Sequence, residues 1–120
     1  MQSKVIRFSS QTLVPTDAHD GKGEVLFRRV LTQDDGSAFD FVDMTIVPPG
    51  CSVGLHTHEA EEEEHYFIFA GRGVMVLDDK TVTVQAGDLV VNRPGGTHSL
   101  ENPGPLPLKM VVWQATRRTP

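Results

Sequence analysis

The residues in this chain best suited to chemistry are three histidines and a group of glutamates. Gly50-Cys51-Ser52-Val53-Gly54-Leu55-His56-Thr57-His58 places two imidazoles two residues apart, and Pro94-Gly95-Gly96-Thr97-His98 supplies a third at a turn. On a β-strand, residues i and i+2 share a face, so His56 and His58 can reach one ion together. Neutral imidazole is the commonest metal ligand. The acidic run Glu59-Ala60-Glu61-Glu62-Glu63-Glu64 follows the first pair. Its residues favour helix, but the run is short and self-repelling, and a solvated loop accounts for most of it. A zinc-protease helix of the His-Glu-x-x-His type is excluded, because position 62 is Glu.

One of those glutamates can complete a metal site. A strand starting near Glu64 puts Glu64, Tyr66 and Ile68 on one face and His65, Phe67 and Phe69 on the other. Glu63 then points outward unless a bulge re-aims it. A lone ionised carboxylate facing a barrel interior is costly, and a cation removes that penalty. Three imidazoles plus one carboxylate suit Mn, Fe, Co, Ni, Cu or Zn. An ion preferring six ligands would keep positions open for water or substrate. His65 falls on the opposite face and His19 in a loop, so both read as surface residues.

The elements that must position these side chains read almost entirely as strands. Candidates are Lys4–Phe8, Val25–Leu31, Phe39–Val47, His65–Ala70, Gly73–Leu77, Lys80–Gln85, Leu89–Asn92 and Leu108–Gln114, short and rich in Val, Ile, Phe and Thr. Asp34-Asp35-Gly36, Pro48-Pro49-Gly50, Ala86-Gly87-Asp88 and Asn102-Pro103-Gly104-Pro105 punctuate them. Residues Pro15–Glu24 read as an exposed loop. Many short strands at even spacing indicate an antiparallel sandwich or barrel. At 120 residues there is room for one core. The net charge of −5 argues against nucleic acid, since phosphate binding needs clustered Lys and Arg and the only basic pair is Arg117-Arg118. No apolar run approaches spanning length and the N-terminus lacks a secretory stretch, so no membrane partner and a cytoplasmic location are expected. The single cysteine, Cys51, excludes an intrachain disulfide and reads as a small, half-buried loop residue.

The metal-ligand residues also carry a family resemblance. The chain resembles the cupin superfamily, whose first motif is Gly-x5-His-x-His-x3/4-Glu-x6-Gly. Gly50, His56 and His58 fit it, as do Glu64 and Gly71, although five residues separate His58 from Glu64. Counting forward from His58 selects Glu62 or Glu63, whereas counting back from Gly71 selects Glu64. Glu64 is preferred, because a loop absorbs an insertion more easily than a paired strand. The second motif, Gly-x5-Pro-x-Gly-x2-His-x3-Asn, is matched by Gly87, Gly95, His98 and Asn102, with Arg93 in place of its first Pro. The resemblance implies an all-β double-stranded β-helix, or jelly-roll barrel, and a homodimer. One cupin domain over 1–120 is expected, with N-terminal strands and loop at 1–35 and the conserved barrel at 36–116.

The cofactor expected is one divalent transition metal per chain (Fe, Mn, Ni or Zn) on His56, His58, Glu64 and His98. An apolar barrel around it makes a small-molecule pocket. Candidate lining groups are Tyr66, Ile68, Met75 or Val76, Phe39 or Phe41, Met110 or Val112, and Trp113. Arg28, Arg29 or Arg93 could hold a carboxylate by a bidentate pair, and Tyr66 is the best of few candidates for proton transfer. The leading functional reading is a metal-dependent enzyme acting on a small polar or carboxylated molecule. Single-domain cupins of this kind resemble dioxygenases, decarboxylases, isomerases and cyclases. The second reading is a non-catalytic small-molecule or metal-binding module.

Overall fold

Short β-branched and aromatic runs cut by Gly, Pro, Asp and Asn fold here as strands joined by tight turns. The computed structural model describes residues 1–118. Its strands are β1 (Val14–Thr16), β2 (Val25–Thr32), β3 (Phe41–Val47), β4 (Ser52–Thr57), β5 (Glu62–Ala70), β6 (Arg72–Leu77), β7 (Lys80–Gln85), β8 (Leu89–Asn92), β9 (Thr97–Glu101) and β10 (Leu108–Thr116). They form a six-stranded sheet in the order β1-β2-β3-β10-β5-β8 and a four-stranded sheet in the order β4-β9-β6-β7. Neighbours are antiparallel throughout, as a jelly-roll barrel requires. No helix among the described residues is long and apolar enough to cross a membrane.

Alternation decides which side chains enter the space between the sheets. On β5, Glu64, Tyr66 and Ile68 are buried while Phe67 and Phe69 face out. On β10, Leu108, Met110, Val112 and Gln114 face in. Met75 from β6 and Leu100 from β9 meet Ile68, Leu108 and Met110 to complete a core without exposed surface. Each such side chain contributes roughly 1.5–3 kcal/mol by leaving water.

Several strand expectations change. Lys4–Phe8 forms no strand; a 3-10 turn covers Phe8–Ser10, and the Phe8 ring packs edge-on against Phe69 at 5.1 Å. That segment is apolar enough for a strand but pairs with no neighbour. β5 begins three residues earlier than its apolar run, because Glu62, Glu63 and Glu64 pair with Thr116, Ala115 and Gln114 of β10. Tertiary pairing thus overrides the helix preference of the acidic run. β1, β4 and β9 have no counterpart among the strands expected. They are short, and β4 is interrupted by Gly54.

Asn102, the last residue of the second motif, ties the barrel's far end together. Its Nδ2 donates to Val47 O and to Leu106 O, each at 2.8 Å, and its Oδ1 accepts from Gly104 N at 2.8 Å. The side chain is fully buried. Asn102→Ala would orphan two carbonyls and one N–H, and should cost about 2–4 kcal/mol. Urea denaturation reads this directly, and a loss below about 0.5 kcal/mol would mean that water replaces the amide.

Candidate metal centre

Three strands bring the candidate ligands to one point. β4 carries His56 and delivers His58 immediately after its end, β5 carries Glu64, and β9 carries His98, whose backbone pairs directly with His56. The Pro94-Gly95-Gly96 turn is fixed by Gly95 N–H donating to Glu59 O and His58 N–H donating to Gly96 O. The loop after His58 is thereby locked to the turn before His98. Glu64 and His98 are buried, and His56 and His58 are half-buried.

The geometry is that of a converging donor set. His58 Nε2 lies 2.8 Å from His98 Nε2 and 3.2 Å from Glu64 Oε1, and His98 Nε2 lies 3.3 Å from the same oxygen. One ligand atom from each of His56, His58, Glu64 and His98 lies within 4.8 Å of all the others. Metal–ligand bonds of about 2.0–2.2 Å at right angles place neighbouring donors about 3 Å apart, so the group could hold one metal ion. His56 Nδ1 sits 2.7 Å from Gly54 O, which fixes the proton on Nδ1 and leaves Nε2 free to ligate.

Electrostatics fit the same arrangement. Burial lowers the His56 pKa to about 4, so that ring is neutral at physiological pH. Burial alone would raise Glu64, but hydrogen bonds from His58 and His98 bring it down to about 2. The hydrogen bond to Glu64 in turn raises His58. Burial also pushes the Tyr66 hydroxyl well above its ordinary value, and the Glu64 charge adds to this, so the phenol stays protonated.

Two spaces flank the donors and share His19 and Glu64 in their walls. A cavity of about 390 Å³ is lined by Phe27, Thr45, Val53, Tyr66, Met110 and Val112, with Asp17, Asp43 and Glu64 as its acidic groups. A mouth of about 420 Å³ opens outward between Arg29, Phe41, His56, Glu59, Glu62 and Gln114. Arg29 makes a bidentate pair with Asp43 at 2.9 and 3.1 Å, and its guanidinium lies 4.0 Å from the centre of the Phe41 ring. Burial raises Asp43, and the Arg29 pair offsets only part of that.

His19 borders both spaces, although it sits in the stretch expected to be a free loop. Its ring stacks on His56 with centroids 3.5 Å apart and planes 8° apart. The loop carrying it is strapped to β4. Gly54 N–H donates to Ala18 O, Ser52 N–H to Lys22 O, and Lys22 N–H to Ser52 Oγ. A Cβ on Gly54 would come within 2.0 Å of His19 O, and one on Gly21 within 2.2 Å of Ser52 O. Only glycine permits that approach. A lone histidine among Asp and Gly carries no signal of this in sequence, because the contact is made through distant backbone.

The remaining sequence candidates sort by strand face. Met110 and Val112 both line the cavity, and Phe41 lines the mouth, whereas Ile68 and Met75 belong to the core. Arg29 reaches the mouth because it pairs across the sheet with Asp43, while its neighbour Arg28 is exposed and lines neither space. Arg93 pairs with Asp78 at 2.9 Å, outside the cavity. Trp113 has the opposite parity to Val112 and packs against His65 at 5.5 Å. His65 itself is held by Glu63 at 2.6 Å, so Glu63 and Glu64 point to opposite faces.

A jelly-roll barrel with three imidazoles and a carboxylate at its mouth defines a class of small metal-binding domains. The chain belongs to the cupin family: the Cupin domain matches residues 43–114. It is 41% identical over 94 residues to an oxalate-binding protein of Thermotoga maritima, covering 77% of this chain and 76% of that one. It is 42% identical over 66 residues to an uncharacterized Methanocaldococcus jannaschii protein, spanning 55% of this chain and 52% of the relative. A solved Thermotoga maritima structure, described as a predicted oxalate decarboxylase, superposes with a TM-score of 0.88 at 34% identity, covering 95% of this chain and 100% of the other.

Metal takes the neutral His58 ring, whereas Glu64 holds that ring protonated above its ordinary range. Zinc affinity should therefore climb with pH and level off once the raised His58 pKa is passed. Glu64→Gln should weaken affinity on the order of a hundredfold and move the rise to lower pH, while Glu63→Gln leaves both near wild type. Competition against a chromogenic chelator between about pH 5 and 9 reads both effects. A larger loss in Glu63→Gln would transfer the carboxylate role to Glu63.

Proposed function

We propose that this protein holds one divalent transition metal, Fe, Mn, Ni or Zn, on His56, His58, Glu64 and His98 and uses it to bind a small carboxylate, with oxalate the first to test. The observation that carries this reading is the convergence of the four donors beside a cavity and a mouth that presents a guanidinium. When bound, such an ion supplies a Lewis acid with coordination positions open to a pair of carboxylate oxygens. Four protein donors leave room for both oxygens of a bidentate acid in a six-coordinate shell. The names of the Thermotoga relatives support the choice of oxalate.

The chain's own residues shape the rest. Phe27, Val53, Met110 and Val112 give the cavity beside Glu64 apolar surface, which lowers the local dielectric and strengthens charge interactions there. Arg29 sets positive charge at the mouth, although Asp43 holds its geometry. His19 offers a ring nitrogen from the side wall. The enzymatic form of the reading requires a proton at the site: loss of CO2 from oxalate leaves formate, whose new C–H bond takes one proton. Tyr66, kept protonated beside Glu64, is the nearest buried donor.

Purified without a histidine tag, the protein should carry about one metal equivalent and bind oxalate by calorimetry, and EDTA or His98→Ala should abolish both. His19→Phe keeps the stack but loses the ring N–H, and should weaken oxalate about tenfold at unchanged metal content. Equal oxalate affinity with and without metal would sink the proposal. Release of CO2 during binding assigns an enzyme; saturable binding without it assigns a binding module.

The outer face of β5 and β8 supports a second inference, that two copies pair. Phe67 is 41% exposed and faces Leu89 across the sheet, itself 52% exposed, with Phe69 and Val91 alongside. A stable pair buries roughly 800 Å² per partner, and an apolar patch of this kind is its usual core. Sedimentation should give twice the 13.2 kDa chain mass, reverting to one in a Phe67→Glu, Leu89→Glu variant. A wild-type monomer at micromolar concentration would refute it.

A further inference from the structure

Each metal-facing imidazole nitrogen leaves a second ring nitrogen to be satisfied elsewhere. His56 Nδ1 has Gly54 O at 2.7 Å, and His58 Nδ1 has the Glu62 carboxylate at 3.7 Å. His98 differs. Its Nδ1 is buried and has no hydrogen-bond partner among the described residues. Two further atoms share that condition, the Nδ2 and Oδ1 of Asn92. Asn92 is only 3% exposed and His98 1%, so bulk water reaches neither.

These orphans lie together. β8 places Asn92 directly opposite Glu64 in the β5 pairing, which turns its side chain into the barrel beside the donor set. A small cavity of about 20 Å³ is lined by both Asn92 and His98, with Asp78, Arg93 and Thr97 also in its wall. One water needs about 10–15 Å³ of such space and two or more polar partners. The cavity supplies both. Without it, the His98 Nδ1 and the Asn92 Oδ1 would bear an uncompensated desolvation cost.

We propose that Asn92 is a positioning residue for His98, acting through one buried water that accepts the His98 Nδ1–H and donates to Asn92 Oδ1. The bridge fixes the proton on Nδ1, so that Nε2, the atom facing His58 and Glu64, presents its lone pair to the metal. His98 then has what Gly54 O gives His56. The inference rests on the reading of His98 as a metal ligand, but the water and the Nδ1 proton belong to the metal-free protein as well.

Two variants and two readouts test it. In wild type, nitrogen-15 spectra of the metal-free protein should show a proton on His98 Nδ1, and a high-resolution crystal structure should show one water between the two side chains. Asn92→Leu, of similar size but without polar atoms, should mix the tautomers and speed zinc loss to a chelator about 10–100-fold. Asn92→Asp restores an acceptor and should recover the Nδ1 proton and slow zinc loss. Because Asn92→Leu could simply loosen β8, the Asn92→Asp rescue and the tautomer carry the decision. No density in the cavity, or a tautomer unchanged in Asn92→Leu, overturns the bridge. A chain that takes up no metal, yet shows the water and the Nδ1 proton, supports the bridge and refutes the metal reading instead.

Discussion

The structure turns on one constraint: a carboxylate and three imidazoles must share a space largely closed to water. Glu64 is 7% exposed and held down to a pKa of about 2 by its histidines, while burial keeps His56 neutral. Neither condition survives if a strand slips by one residue, because a slip turns every side chain to the other face. Much of the barrel's local detail defends that register. Gln114 donates from β10 to Asp40, just before β3, and to Glu62, at the start of β5, tying three strands together at the level of Glu64. Outside, His65 holds Glu63 away from the interior. The last three residues of an acidic run that reads as a solvated loop are therefore held in register with β10.

Strict alternation is why so much of this was legible. The parity of Glu64, Tyr66 and Ile68 follows from a single choice of face, and the buried positions of β5 follow it without exception. Met110 and Val112 are two residues apart and had to face the same way, so both enter the cavity and Trp113 cannot join them. Arg28 and Arg29 have opposite parity, and Arg29 shares that of Val25 and Phe27, which enter the cavity; sequence left open only which face of β2 is interior. β4 entered the reading only through the spacing of His56 and His58, and neither it nor β9 stands out as an apolar run. They are held by pairing with each other and not by an apolar run, and their histidines are polar residues facing inward.

The N-terminal strap lay furthest beyond sequence reading. Its conformation is local in cost and distant in cause. His19 and Asp20 both take left-handed backbone angles, with φ of 55° and 56°. That conformation disfavours side-chain residues by about 1–2 kcal/mol each. What sustains it is backbone hydrogen bonding to β4 and the absence of a Cβ on Gly21 and Gly54. Nothing in Asp17–Glu24 alone encodes either partner.

Such strain is informative about use. A loop needed only to cap a barrel could relax to ordinary angles, since its hydrophobic contribution is small and its residues are mostly exposed. This one instead gives up a few kcal/mol to press an imidazole flat against His56 at the edge of the cavity. Strained residues held by over-determined surroundings cluster where a ligand is clamped or a site is pre-organised. That strain leaves local stability unrealised beside the donor set, and metal binding to the folded chain alone would offset it, at about 4 kcal/mol for an ion present at a thousand times its dissociation constant. Fold and site are thus not separate achievements of this sequence. The polar, strained and tightly pinned groups around the four donors fit a barrel in which an ion held by them would stabilise the one register that brings them together.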